Sequence, residues 1–112
     1  MNIDKFKTIA KHLHDYRIDI RDDKLYSYAS DKNVLEFFEK QAQVAGCTPY
    51  EVWKIMVAKQ LVAVYNYMDG KDIDPSEPMI NRFSDLMNYM ELGYALTENH
   101  DDTQTKTEPC GV

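Results

Sequence analysis

The sequence predicts an all-α fold, a compact bundle of about four helices around a central apolar helix that spans residues 48–69. Three observations support this prediction. Apolar residues recur at helical spacing along most of the 112 residues. The stretch 48–69 is apolar on nearly every side once it is wound as a helix. Helix start and stop signals flank these stretches. Residues 1–98 are expected to form one domain, and the acidic, polar stretch 99–112 is expected to be a disordered tail.

The central helix has a strong start signal. Thr48 is its predicted N-cap, Pro49 occupies the first helical position, and Glu51 completes a capping box. Gly46 is a predicted stop for the helix before it. A helix that is apolar on so many sides is expected to lie in the interior of the fold.

Two polar residues interrupt the apolar surface of this helix. Lys59 is expected either to extend to water or to pair with a carboxylate, because a buried ammonium without an anion is unfavourable. Gln60 lies within the apolar stripe. Replacing it by Leu should be tolerated if its amide is unpaired, and harmful if the amide bonds across an interface.

The N-terminal segment predicts an amphipathic helix that runs to about Tyr16. Two histidines on it, His12 and His14, lie about 200° apart around the helix and cannot bind one metal ion together. Residues 17–31 are predicted to form an irregular, Tyr-rich connection. Ile18 and Ile20 alternate with charges as in a short strand, and extension of the first helix is the alternative. The apolar face of the predicted helix consists of Ile3, Phe6, Ile9, Ala10 and Leu13.

A second helix is predicted to begin at Ser30 or Asp31 and to pack its apolar face on the central helix. After the turn-rich connection that follows the central helix, Pro78 starts a last helix that runs to about Glu98. Its alternating four-and-three spacing predicts a helix–helix seam. The seam consists of Met79, Phe83, Leu86, Met90 and Gly93, flanked by Ile80, Met87 and Tyr94.

The last helix carries a second apolar stripe, formed by Tyr89, Leu92 and Leu96. A helix that is apolar on two sides in so small a protein suggests a second packing partner. The simplest partner is another copy of the chain. The sequence therefore predicts a homo-oligomer.

Charge and cysteine content narrow the class of function. The formal net charge is −6. Residues 1–68 carry 10 Lys or Arg against 9 Asp or Glu, and residues 69–112 carry 3 against 10, so broad binding to a nucleic-acid backbone is not expected. Cys47 and Cys110 are too few for a disulfide framework, which favours a reduced, cytoplasmic setting. No signal peptide or membrane span is expected, and neither is a membrane partner.

Acidic residues suggest at most a weak metal site. Helical nucleotide pyrophosphatases hold Mg²⁺ with carboxylates clustered on two helices, whereas Glu36 and Glu39 form a single pair on a polar face. Asp85 lies on the last helix and Glu77 at its start, so these two would supply the ligands if the chain were a Mg²⁺ enzyme. The pattern favours binding over catalysis.

Three segments of the chain resemble a family of small bacteriophage proteins, the nucleotide modification associated domain type 1 family and its phage relatives. The segments are YASDKNVLEFF, GCTPYEVWKIMVAKQLVAVY and EPMINRFSDLMNYMELGYAL, within residues 24–98. The family often has Asn-Phe where this chain has Glu36-Phe37. The resemblance implies a phage origin, an all-helical fold and a link to nucleotides, without a demonstrated reaction. The matching positions are Tyr28, Ala29, Ser30, Phe37, Lys59, Glu77, Arg82, Asp85, Asn88 and Tyr89.

The candidate site is a ligand pocket shared between subunits. Cations there would bind phosphate, polar side chains would read the edges of the ligand, and aromatic rings would stack on a base. Alternatively, the polar residues of the last helix form a buried network that fixes its contact with the central helix. In the ligand-pocket interpretation, the cations that bind phosphate are Lys59 and Arg82. The polar side chains that read the ligand edges are Asp85 and Asn88, and the rings that stack on a base are Tyr26, Tyr28 and Tyr89.

The function expected from these patterns is binding, without conversion, of a nucleotide-derived ligand in an infected bacterial host. Its most specific form is an anti-defence sponge for a cyclic nucleotide or cyclic ADP-ribose signal. One alternative is a Mg²⁺-dependent nucleotide-metabolism enzyme that uses Glu77 and Asp85. Another is an inhibitor of a host defence protein, with Leu92 and Leu96 as its exposed contact.

Overall fold

The computed structural model describes residues 1–28, 33–71 and 77–98, without the side chains of residues 24–28. These residues form four helices and no strand, which confirms the prediction of an all-α fold. The predicted tail, 99–112, lies outside the described residues. No helix in the described part of the chain combines the length and the hydropathy needed to cross a bilayer. The helices are α1 (Ile3–Tyr28), α2 (Glu36–Ala45), α3 (Pro49–Met68) and α4 (Met79–Glu98).

The four helices pack in the spatial order α2, α3, α4, α1. Helix α4 runs antiparallel to α3, because Trp53 near the start of α3 meets Tyr89 in the middle of α4, while Gln60, further along α3, meets Arg82 near the start of α4. It runs parallel to α1, since contacts from Tyr16 to Asn81 and from Arg21 to Glu91 advance in the same direction along both helices. Helices α3 and α4 are therefore the inner pair of the row.

Helix α1 is much longer than the sequence predicts. The predicted end at Tyr16 and the irregular connection over 17–28 are wrong, because the helix continues to Tyr28. Residues 29–31 of that connection lie outside the described part. The extension is stabilised by contacts with α4, to which Arg17 and Arg21 reach from one side of α1. Such contacts between distant segments are absent from local periodicity.

Local signals set the boundary between α2 and α3. The amide of Glu51 donates to Thr48 Oγ1 at 3.2 Å, and the amide of Thr48 donates to Glu51 Oε1 at 2.9 Å, which confirms the capping box. Pro49 is the first residue of α3. Gly46 ends α2 with a left-handed φ of 77°, as predicted.

Helix α2 begins at Glu36, so the prediction of a start at Ser30 or Asp31 is wrong; both residues lie outside the described part. The start is organised by Asn33. Its side-chain oxygen accepts a bond of 3.1 Å from the amide of Leu35, and its side-chain nitrogen donates to Glu39 Oε1 at 2.7 Å. A short amide side chain that bonds the backbone two residues later is typical of a turn before a helix.

The core lies between α2, α3 and the last two turns of α4. Phe38 is its most enclosed hydrophobic side chain, and the neighbouring ring of Phe37 meets it edge to face with centroids 5.7 Å apart. Leu35 and Leu92 complete the buried cluster. Partly buried side chains surround these residues: Phe37, Val52, Trp53, Met56, Tyr89, Ala95 and Leu96.

The two apolar stripes of α4 have roles different from those predicted. Leu92 is buried and Leu96 packs against the core, so the prediction that these two leucines are exposed is wrong. Gly93 of the predicted seam does meet α3, but Met90 and Tyr94 beside it are exposed. Leu92 and Leu96 face α2 and α3 because the core forms there. The side of α4 that carries Met90 and Tyr94 stays exposed among the described residues.

Gly93 allows α3 and α4 to approach closely. A Cβ atom at this position would lie 2.5 Å from Cζ2 of Trp53, a distance at which the ring or the helix must shift. We expect Gly93→Ala to lower the free energy of unfolding by about 1–3 kcal/mol, although Ala is the better helix former by about 1 kcal/mol. Urea denaturation followed by circular dichroism measures the change.

The same substitution in a Trp53→Leu background is the control. With the indole removed, the added methyl group has room, and Gly93→Ala should be neutral or slightly stabilising. An equal loss in both backgrounds would show that Trp53 is not the obstacle.

Candidate functional site

The structure separates Lys59 from the polar residues of α4 with which it was predicted to form a site. Lys59 is exposed, in agreement with the prediction that it extends to water. The next residue, Gln60, is buried and faces α4, where its Oε1 accepts a bond of 3.3 Å from Nη1 of Arg82. Arg82 is therefore held by a neutral amide in the α3–α4 interface.

Asn88 joins α4 to α1. Its Oδ1 accepts from Nη1 of Arg17, and its Nδ2 donates to the backbone carbonyl of Arg17, both at 3.2 Å. Arg17 also forms an ion pair of 3.0 Å with Glu91. Both polar groups of the Asn88 amide are therefore used within the chain, which supports the structural interpretation of this residue.

A second arginine extends this contact. Arg21 lies one turn after Arg17 and pairs with Glu91 at 3.3 Å. A hydrogen bond to Asp22, and then the charge of Glu91, raise the pKa of Arg21 above its ordinary value. Arg17 and Arg21 are absent from the predicted site because the predicted helix ended at Tyr16, before both of them. Their spacing of four residues is the signal that could have placed both on one face of a longer helix.

The other predicted residues lie in different surroundings. Asp85 is half-buried. Tyr89 packs against the core, and its backbone carbonyl accepts from the Trp53 indole. Glu77 accepts a bond of 3.3 Å from the side-chain amide of Asn81. The side chains of Tyr26 and Tyr28 lie outside the described part.

Metal ligands were predicted only for the enzyme alternative, as Glu77 and Asp85. Among residues 1–23, 33–71 and 77–98, no three His, Cys, Asp or Glu side chains are grouped closely enough to hold a metal ion.

An open cavity of about 430 Å³ lies between the start of α3 and the end of α4. We call it the aromatic cleft. The rings of Tyr50 and Trp53 stack there with centroids 6.0 Å apart and an interplanar angle of 29°. The indole Nε1 of Trp53 donates to the Tyr89 carbonyl at 2.6 Å, which fixes the ring. The lining residues are Tyr50, Trp53, Met90, Gly93, Tyr94, Leu96 and Thr97.

The aromatic cleft has a cationic group near its edge. Nζ of Lys54 lies 5.8 Å from the centroid of the Tyr50 ring, within the range of a cation–π contact. Lys54 is exposed, so its charge is available to an anion. No residue that lines the cleft belongs to the site predicted from the sequence. Only the proximity of Tyr50, Trp53 and Lys54 at the start of an apolar helix could have indicated it.

A smaller cavity of about 290 Å³ lies beside Arg21 and Glu91, and Asn88 also lines it. Unlike the aromatic cleft, this cavity is lined by a residue of the predicted site, Asn88. The ion pair between Arg21 and Glu91 and the bonds of Asn88 to Arg17 already engage its polar groups.

The chain matches no protein-family model, no curated protein and no solved structure.

The hydrogen bond between Gln60 and Arg82 predicts how removal of the Gln60 side-chain amide changes the free energy of unfolding. Gln60→Leu leaves a half-buried guanidinium without this acceptor, and we expect it to lower the free energy of unfolding by about 1–3 kcal/mol. Gln43→Leu is the matched control, because Gln43 is exposed on α2 and should change stability by less than about 0.5 kcal/mol. Urea denaturation measures both. Equal stabilities for the two variants would show that the bond contributes nothing.

Substitution of the two arginines in the contact between α1 and α4 should lower the free energy of unfolding by unequal amounts. The side chain of Arg17 is 14% exposed and that of Arg21 is 36% exposed. We expect Arg17→Met to cost about 1–3 kcal/mol, because it leaves Oδ1 of the buried Asn88 without this donor. Arg21→Met removes an exposed ion pair worth less than about 1 kcal/mol. Urea unfolding should rank them in this order, and the reverse order would contradict this account of the interface.

Proposed function

We propose that the protein binds a small ligand with a flat aromatic ring, a nucleobase-containing molecule, and does not convert it. The stacked rings of Tyr50 and Trp53 in the wall of the aromatic cleft carry this proposal. The cavity volume of about 430 Å³ lies in the range of small-molecule sites.

Stacking would supply the affinity. A rigid aromatic wall binds a flat heterocycle with little loss of conformational entropy, and each stacked base contributes about 1–3 kcal/mol. Trp53 is already immobilised by its bond to Tyr89 and by contact with Gly93, so its ring needs no reordering. Tyr94 lies in the lining and is 68% exposed, which leaves its ring free to close over a ligand.

Lys54 would supply charge recognition. An ammonium near the edge of an apolar cleft can bind a phosphate that remains partly in water while the base enters. This division between an apolar interior and a polar edge fits a nucleotide better than a purely apolar ligand. The proposal assigns phosphate binding to Lys54 instead of Lys59 and Arg82, because Lys54 lies beside a ring of the aromatic cleft. Neither Lys59 nor Arg82 lines the cleft, and Arg82 donates to Gln60.

In its most specific form, the proposal is an anti-defence sponge that acts as a homo-oligomer in an infected bacterium. It would sequester a cyclic nucleotide or cyclic ADP-ribose signal. This form is supported by the sequence resemblance to small phage proteins. The two-sided apolar character of α4 supports the oligomer.

Trp53 provides a direct test, because it is the one tryptophan in the sequence. A ligand that stacks on it should change its fluorescence. We would titrate the full chain with AMP, cyclic AMP, cyclic di- and trinucleotides and cyclic ADP-ribose. At least one of them should give a saturable change. No change with any of these compounds would contradict the proposal.

Tyr94→Ala should weaken binding of the responsive compound about fivefold to a hundredfold, because one stacking surface is lost. Tyr65→Ala is the matched control. It removes an exposed tyrosine of α3 that is not in the cleft, so it should leave the affinity unchanged. Equal affinities for the two variants would place the ligand outside the cleft.

Mass spectrometry of the recovered ligand separates binding from catalysis. The ligand should be recovered intact after incubation with the protein and Mg²⁺. Its loss, abolished by Asp85→Asn, would support the nucleotide-metabolism alternative.

A further inference from the structure

Two apolar stripes are left largely exposed by the part of the chain that the structure describes. Among the described residues, exposed large hydrophobic side chains outnumber buried hydrophobic residues, and several of them are contiguous at helical spacing, which is typical of an interaction surface. The first stripe lies on the N-terminal arm, residues 3–15 of α1. The second, the α4 seam, lies on α4. It differs from the seam predicted from the sequence and consists of Phe83, Met87, Met90 and Tyr94; Phe83 is half-buried and the other three are exposed.

The N-terminal arm continues the face of α1 that already packs against α4. Tyr16 and Arg17 contact α4, and helical spacing places Phe6 and Leu13 on that same face. Phe6 is nevertheless 60% exposed. Helix α1 is parallel to α4 and Tyr16 meets Asn81 near the start of α4, so the arm extends past that end. A continuous helix cannot turn back to the seam of its own chain.

The two stripes match in spacing and in length. Apolar residues of the arm are separated by three, four and three positions, and those of the seam by four, three and four. Both are the spacing with which helices pair side by side. At 1.5 Å per residue, the arm stripe is about 15 Å long and the seam about 16 Å long. The arm stripe consists of Ile3, Phe6, Ala10 and Leu13.

Charges beside the stripes are of opposite sign. Lys5 and Lys7 are exposed and lie on the two sides of the arm stripe. Glu98 is exposed along one side of the seam, together with the exposed part of Glu91, which also pairs with Arg17 and Arg21. Basic residues beside the arm stripe and acidic residues beside the seam favour pairing of an arm with a seam over pairing of two arms or of two seams.

We propose that the N-terminal arm of one copy docks on the α4 seam of a second copy, and that the second copy returns the same contact. Reciprocal exchange closes the assembly as a two-fold dimer and covers both unpartnered stripes in each chain. The partner's arm then lies over Met90 and Tyr94, which also line the aromatic cleft. The proposal stands on these two stripes and does not depend on what the cleft binds.

The first test compares two charge substitutions on the arm. Phe6→Glu places a carboxylate in the stripe, whereas Thr8→Glu places it on the opposite, exposed side of the same helix. Sedimentation of the full chain should give a two-chain mass for the wild type and for Thr8→Glu. Phe6→Glu should raise the dissociation constant about a hundredfold, because both contacts lose an anchor. Circular dichroism confirms that each variant stays helical.

The second test mixes two defective chains. Tyr94→Glu damages the seam and should also be monomeric alone. A mixture with Phe6→Glu restores one intact contact, between the arm of the Tyr94→Glu chain and the seam of the Phe6→Glu chain. A dimer should therefore form in the mixture at concentrations where neither variant dimerises.

Three results would overturn the proposal. A wild-type chain that stays monomeric at high micromolar concentration would leave the surface to another partner. A Phe6→Glu chain that dimerises like Thr8→Glu would exclude the arm. A Tyr94→Glu chain that dimerises normally would exclude the seam and indicate that arms pair with arms.

Discussion

The contact of Trp53 with Gly93 is the constraint on which the described structure depends. Helices α3 and α4 approach closely here, because the indole occupies the space that a side chain at position 93 would need. The bond of its Nε1 to the Tyr89 carbonyl fixes the antiparallel alignment of the two helices. The core with Leu92 lies on one side of this contact and the aromatic cleft on the other. Trp53 and Gly93 therefore contribute both to the packing of α3 against α4 and to the candidate binding site.

Helix α4 has three kinds of surface, and two of them have partners among the described residues. Its contact with α1 is polar and is made through Asn88 and Glu91. Its contact with α2 and α3 is apolar and is made through Leu92 and Leu96. The third surface, the α4 seam, is apolar, and the described part of the chain leaves most of it exposed. Helix α4 thus contacts other helices of its own chain on two sides and has a third side that is apolar. This arrangement is more typical of a subunit of an oligomer than of a monomer.

The sequence predicted features whose causes are local and missed those whose causes are distant. The capping box at Thr48 and the stop at Gly46 could be predicted because the groups that form them lie within a few residues. The full length of α1 could not, because Arg17 finds its partner Asn88 seventy-one positions later in the chain. The candidate site in the structure differs from the one predicted from the sequence for the same reason, because it depends on contacts between distant residues. The periodicity of α3 showed that Lys59 and Gln60 were unusual, but not which of them faced α4.

The aromatic cleft and the α4 seam share Met90 and Tyr94, so ligand binding and self-association cannot be independent if both occur. A partner arm over Tyr94 would either complete the wall of the cleft or occupy it. In the first case the ligand stabilises the dimer, and in the second it dissociates the dimer. Thermodynamic linkage requires that dimerisation change ligand affinity by the same factor in the same direction. A protein that sequesters a signal benefits from the first arrangement, since each arm then closes the partner's cleft and slows release of its ligand.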